Sequence, residues 1–442
     1  MKGIENVTYK EARVYLDEMS KYGSVLGLDT IRGLLRELGD PQDDLKFIHI
    51  AGTNGKGSVL AYTSTVLSKA GYRIGRYVSP TVIGYLEKMQ IDGTWISETE
   101  FAELAEEIRE AIARLEALGE PLPTLFEVET AMAFLYFKKN HCDLVVLETG
   151  LGGELDATNI IKNTICAVFA TISRDHLGVI GDTLEEIAQT KSGIIKPGCA
   201  VVSARQEEAV SRILRDRAEK EGCSYTEADL DNLRVVAEDY KSMIVDYKIF
   251  RNLKSSLTGA HQRANIATAL EVIMTLQNMG YQISEDAVRS GISETIWTGR
   301  FTCLQESPVF IIDGAHNEDA AYRLRESVKK YFQDKELILI MGVFKDKEYE
   351  KITSILCPYA RSVYTIDLPN RERTLSAEGL AESAAKYCDR VKAEPEIKAA
   401  VEDAMKEAKE LPENRAILAC GSLSYLGVVN SLVKDMREYR EE

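Results

Sequence analysis

The feature that most constrains this chain is a glycine-rich turn set between two apolar runs of different period. Lys46-Phe-Ile-His-Ile50 reads as a short buried strand. Ala51-Gly-Thr-Asn-Gly-Lys-Gly-Ser58 follows, and then Val59, Tyr62, Val66 and Leu67 recur at helical spacing as far as Gly71, which can stop a helix. A strand that ends in glycines and restarts as a helix gathers backbone N–H groups at the positive end of the helix dipole, where phosphate binds. Lys56 adds a point charge for the outer phosphates, and Ser58 a hydroxyl for Mg²⁺. The spacing departs from the ordinary phosphate-loop pattern, because Ile50 stands where the first glycine belongs and Gly57 separates Lys56 from Ser58. A plain turn would also use Gly52, Gly55 and Gly57. The lysine in a strand–turn–helix context favours the nucleotide.

A chain of 442 residues exceeds one ordinary core, so two or three domains are expected. The net charge of −16 argues against nucleic acid or a membrane surface as partner, and means that an anionic substrate needs local basic groups or metal ions. Eight cysteines occur without a Cys-x-x-Cys pair, so neither a zinc motif nor a disulfide framework shows; buried thiols in a reducing compartment are expected. Residues 1–6 carry no basic-then-apolar signal and no apolar run reaches membrane-spanning length, which makes the expected location cytoplasmic.

Helices are expected over 8–20 and 28–38, with an apolar stripe of Leu28, Ile31, Leu34, Leu35 and Leu38. A strand near 72–77 leads to Ser79-Pro80 and an irregular segment up to Gly93, either a functional loop or a surface excursion. An outer acidic helix (98–118) and a more apolar one (124–139) precede the strand Leu144-Val-Val-Leu147, which ends at Glu148. A strand over 165–171 ends at Ser173-Arg-Asp-His176; helix 183–195, strand 201–202 and helix 206–221 follow. This alternation is the doubly wound α/β pattern, in which ligands sit beyond the carboxyl ends of the strands. Residues 232–258 break the pattern and suggest a short antiparallel piece, and helix 262–279 follows it. A second α/β unit starts near 298, with strands at 309–312, 336–341, 362–366 and 416–419 and a helix over 319–331; the linker falls at 296–300. The expected domains are 1–297 and 298–442.

Polar residues collect where strands end. Glu148 suits a Mg²⁺ ligand, since hard cations take carboxylate oxygen, and equally suits a helix cap or an ion pair. His176 alone reads more readily as a structural hydrogen-bonder. Lys191, in Gln189-Thr-Lys-Ser-Gly193, reads from its residues as a surface lysine. Asp313 and His316 share a strand-to-helix turn, where a carboxylate can meet a ribose or cap the helix.

Together these pieces resemble the folylpolyglutamate synthase and dihydrofolate synthase family, relatives of the Mur ligases. The resemblance runs from about Gly27 to Gly427. It is carried by Gly52–Ser58, Gly150-Leu-Gly-Gly153 with Leu155-Asp-Ala-Thr-Asn159, Asp175-His176, Gly181-Asp-Thr-Leu-Glu185 and Lys191-Ser-Gly-Ile-Ile-Lys-Pro-Gly198. His261-Gln262 with Asn265, Gly299-Arg300, Asp313-Gly-Ala-His-Asn317 and Gly421-Ser422-Leu423 complete the series. The resemblance implies a P-loop N-terminal domain and a smaller Rossmann-like α/β C-terminal domain, with ATP in the cleft between them. It implies that Thr53, Asn54, Gly55, Lys56, Gly57 and Ser58 hold the ATP phosphates. Asn265, Arg300 and Asp313 would complete the nucleotide site, with His316 close to the phosphates. Ser58, Ser79, Glu148 and His176 would serve two Mg²⁺ sites. Lys191 would be the lysine that the family carries as a carbamate, and a monovalent cation would accompany the metals. The catalytic set would be Lys56, Lys191, Asp313 and His316.

The implied reaction is ATP-dependent amide ligation: L-glutamate is added to a folate, to dihydropteroate, or to both, through an acyl phosphate, by an enzyme that is a monomer. Three departures leave the acceptor open. Thr81-Val82 and Leu86-Glu-Lys88 replace the usual His-Leu and Asn-Glu-Arg elements, and Glu154 stands where the family often has Arg. The rivals are a ligase of the same fold acting on a non-folate acid, and a P-loop NTPase switch.

Overall fold

The computed structural model describes residues 7–23, 27–175 and 178–441. Its chain divides into two compact units. The first comprises 1–80, 85–230 and 264–292, and the second 81–84, 231–263 and 293–442.

The first unit is built on an eight-stranded sheet. Across it the strands run Thr94–Trp95, Met89–Ile91, Ile74–Tyr77, Leu144–Glu148, Phe47–Ala51, Thr164–Phe169, Ala200–Ser203 and Ser224–Glu227. From Ile74–Tyr77 onward all pairs are parallel; the two short strands at the other edge pair antiparallel. The central strands are buried on both faces, as their continuous apolar runs require. The order reverses direction on either side of Phe47–Ala51, which makes its carboxyl end the topological switch point.

The helix Lys56–Lys69 leaves that end, with Gly71 at φ +93° closing it as its sequence suggests. It is buried nearly all round. The helix Leu125–Lys139 is started by a reciprocal Thr124–Glu127 capping box and packs on the sheet, with Phe134 edge-on to Phe47 at 5.4 Å.

The second unit holds an antiparallel sheet of Leu233–Glu238, Met243–Tyr247 and Phe250–Ser255, where the sequence shows only broken alternation. It also holds a six-stranded sheet in the order Thr302–Glu306, Val309–Ile312, Arg415–Cys420, Glu336–Met341, Ala360–Thr365, Val391–Ala393. Only its first pair is antiparallel. Helices without a counterpart in the sequence pattern include Glu285–Glu294, all but its last two residues in the first unit, and Tyr349–Leu356, Ala377–Ala384, Ile397–Lys409 and Leu426–Glu441 in the second. Among the described residues no helix is long and apolar enough to cross a membrane.

Candidate active site

The glycine turn at the switch point is fixed by its neighbours. Gly52 has φ +151° and lies flat on Ala170, where a Cβ would stand 2.9 Å from the alanine Cβ. Gly55 has φ +95°, and an added Cβ would run into the Asn265 carboxamide oxygen. Glycine therefore lets Asn265, on the helix Gln262–Asn278, reach the loop. The N–H groups of Thr53 and Asn54 both donate to Thr171 O, at 2.8 and 3.1 Å. The Thr53 hydroxyl donates to Ser173 O at 2.8 Å and accepts the Ser173 N–H at 3.0 Å. Its side chain thus ties the loop to the exit of the next strand.

Charge converges on one carbonyl. Parallel register sets Glu148 beside Ile50, so its carboxylate emerges next to the loop. Lys56 Nζ lies 3.8 Å from Glu148 Oε1 and donates to Gly52 O at 3.2 Å. Lys191 Nζ donates to the same oxygen at 3.0 Å.

The expectation of a surface lysine is corrected here: Lys191 is 4% exposed. The cause is glycine again. A Cβ on Gly153 would lie 2.7 Å from Lys191 O, and one on Gly193 would clash with Glu154, so the loop 150–154 closes directly over the helix Leu184–Ser192. Burial and the neighbouring Lys56 push the Lys191 amine down to about 7, against the opposing pull of Asp175 and Asp156.

Ser58 is fully buried in the first turn of its helix, and Ser79 is half-buried just past the strand Ile74–Tyr77. His176 lies outside the described residues. Among those described, no group of three or more His, Cys, Asp or Glu side chains is assembled as a metal cluster. The donors placed here are hydroxyls and one carboxylate, all hard oxygen, which fits Mg²⁺.

One residue with a clear role was not among the candidates. Asp156 accepts the Leu151 N–H at 2.6 Å and the Thr158 N–H at 3.0 Å, and so shapes the loop after Glu148. Burial raises its pKa. The signal was present in Asp-Ala-Thr, an Asx-type cap.

In the second unit Asp313 ends the strand Val309–Ile312. Its carboxylate accepts the N–H of Phe301 and of Ala315, each at 2.8 Å. Burial raises its pKa while the Arg300 guanidinium opposes the rise. A Cβ on Gly314 would run into Leu423 Cδ2 and stand 2.8 Å from Arg300 Nη1, so glycine makes room for Leu423 and for that guanidinium. His316 Nδ1 donates to Gly314 O at 2.7 Å, which sets its tautomer, since a carbonyl can only accept.

A phosphate-type loop at a switch point, two converging lysines and a facing carboxylate, in a chain with a second α/β unit, define a nucleotide-using enzyme. Residues 50–273 match the Mur ligase middle domain, and residues 299–423 the Mur ligase glutamate ligase domain. The dihydrofolate synthase/folylpolyglutamate synthase of Bacillus subtilis is 33% identical over 82% of this chain and 86% of its own length. That of Escherichia coli is 29% identical over 96% and 95%. The solved structure of Mycobacterium tuberculosis folylpolyglutamate synthase complexed with ADP superposes with a TM-score of 0.87 at 29% identity, covering 96% of this chain and 99% of that one. Escherichia coli FolC in complex with DHPP and ADP gives 0.84 at 29% identity, over 96% and 98%. The chain belongs to the dihydrofolate synthase/folylpolyglutamate synthase family of Mur ligases and is an ATP-dependent ligase.

Proposed function

We propose that the protein joins L-glutamate by an amide bond to a folate, to dihydropteroate, or to both, at the expense of ATP. The observation that carries this reading is the meeting of Lys56 and Lys191 on Gly52 O beside Glu148, in a chain similar over most of its length to such synthases.

An acceptor carboxylate oxygen attacks the γ-phosphorus, the bond to the leaving ADP breaks, and an acyl phosphate forms. The amine of glutamate then attacks the acyl carbon, loses a proton, and displaces phosphate. The reactants are anions in an acidic protein, so neutralisation and positioning carry the catalysis. Lys56 and the N–H groups of 55–58 hold the outer phosphates, while Thr53 and Asn54 keep the loop on Thr171 O. Ser58, Ser79, Glu148 and His176 are the residues that would hold Mg²⁺, which supplies further charge neutralisation when bound. Asn265, Arg300 and Asp313 are assigned to the nucleotide, and His316 to the neighbourhood of its phosphates.

Lys191 is assigned as a carbamate. Reaction with CO₂ needs a neutral amine, and a buried amine pushed down to about 7 supplies one at neutral pH. A monovalent cation and a monomeric state are carried over from the family resemblance, and a cytoplasmic location from the sequence pattern.

The test is mass spectrometry of products from ATP, Mg²⁺, L-glutamate and a mixed pool of dihydropteroate, tetrahydrofolate and non-pterin acids. A pterin acid gaining one glutamyl unit per ADP released is the expected outcome. Glutamylation of a non-pterin acid alone would support the rival acceptor, which the exposed Glu154 keeps in play. ADP release without any new amide would refute ligation.

A further inference from the structure

We infer that Gln206 is a positioning residue for the nucleotide site, its side-chain amide holding the turned-over exit of the strand Thr164–Phe169 that presents Thr171 O to the glycine loop. The inference rests on the proposed phosphate role of that loop.

In an extended strand, the N–H and C=O of one residue point to the same side, and successive residues alternate. The strand Thr164–Phe169 obeys this as far as Phe169, whose carbonyl accepts from Ala204 N at 2.7 Å on the side of the strand Ala200–Ser203. Ala170 breaks the rule. Its N–H still donates to Ala51 O at 2.8 Å, but its C=O leaves the backbone ladder and accepts instead from Gln206 Nε2 at 2.9 Å. Two residues on, the Ile172 N–H donates to Gln206 Oε1 at 3.0 Å. The chain has therefore rotated about Ala170. As a result Thr171 O faces the glycine loop, where it receives both the Thr53 and Asn54 N–H groups.

The neighbouring strand offers no backbone rung to the rotated groups. The amide of Gln206 replaces that rung, and Ser203 Oγ steadies it by accepting from Nε2 at 3.2 Å. Ala170 and Ile172 are buried, at 0% and 3% exposure. Without Gln206 a carbonyl and an N–H would lose their partners inside the protein, a cost that favours rotating the strand back. Rotation back would withdraw Thr171 O from the loop and shift Ser173, to which Thr53 is doubly bonded. Gln206 thus acts on the phosphate loop without touching it.

The test compares wild type with Q206M, which keeps the length and removes the hydrogen bonds, and with Q206E, which keeps the acceptor for Ile172 and sets a second acceptor against Ala170 O. The readouts are affinity for a fluorescent ADP analogue, the KM values for ATP and for glutamate, and Tm. In both variants ADP affinity should weaken and the KM for ATP rise by about tenfold, the equivalent of roughly one net hydrogen bond, with the KM for glutamate unchanged. ADP affinity and KM for ATP at wild-type values would overturn the inference, whatever Tm does. So would equal rises in both KM values, or insolubility of both variants, because either points to a merely structural role. Wild type that binds no ADP would overturn the phosphate reading of the loop itself, and the inference with it.

Discussion

In the first unit the strand Phe47–Ala51 runs into a glycine turn whose Gly52 carbonyl takes two lysine amines. In the second, the strand Val309–Ile312 runs into a glycine turn whose carboxylate, Asp313, takes two backbone N–H groups. Both turns carry buried charge, and both use glycine to admit a neighbour. They differ in what the charge faces. Around Gly52 two lysine side chains meet on one carbonyl with one carboxylate beside Lys56. At Asp313 the carboxylate accepts one N–H from its own turn, that of Ala315, and one from Phe301, which leaves a rigid mount beside Arg300. In the proposed function the first turn binds phosphate, and the second holds a binding group in place.

The largest effect expected from this contrast is on rate. Lys56→Ala should lower ATP-dependent product formation about a hundredfold or more, the usual loss when a positioned charge on a phosphoryl group is removed. A near-normal rate of ADP release would break the assignment of the first turn.

Asp313→Asn should act on stability. It leaves one buried N–H facing an amide where a carboxylate accepted, at a cost of about 2 kcal/mol read by denaturation. Unchanged stability would mean that the second turn is no mount. Gly153→Ala sharpens the comparison from the lysine side, because the new Cβ would meet Lys191 main chain at 2.7–2.8 Å. A loss of about 1–2 kcal/mol is expected, with activity falling as the helix Leu184–Ser192 shifts.

The smallest effect is a pH dependence in the protein freed of metal, nucleotide and CO₂, where Lys191 is an unmodified amine. The folded pKa of Lys191 is depressed from 10.5 to about 7, so the unfolded chain holds the extra proton between those values. Its burial destabilises fully below about pH 7, and that penalty fades as pH rises toward 10.5. Lys191→Met should therefore raise Tm at pH 6.5 and progressively lose that advantage by pH 9.5. A pH-independent difference in Tm would contradict the burial of the Lys191 amine beside Lys56.

The sequence carried much of this arrangement because its strongest signals are local. The run from Lys46 to Gly71 names a strand, a turn and a helix by period and glycine alone, and the structure has all three. Glu148 was legible for the same reason, as the first charged residue after an apolar run. Lys191 was misread as a surface lysine because its burial comes from Gly153, 38 positions earlier in the chain. Gln206 was passed over because a lone glutamine after a strand has no pattern; only the rotation at Ala170 gives it a task. The three-stranded sheet over 233–255 was legible as a break in alternation, but its partners were not, since antiparallel register is a matter of pairing and not of composition.

The central claim is that the loop activates an acid by phosphorylating it. The most direct measurement starts from an acceptor whose carboxylate carries heavy oxygen and follows that label during turnover with ATP and glutamate. One labelled oxygen in each released phosphate is the result expected from an acyl phosphate. Unlabelled phosphate, with product still forming, would contradict it.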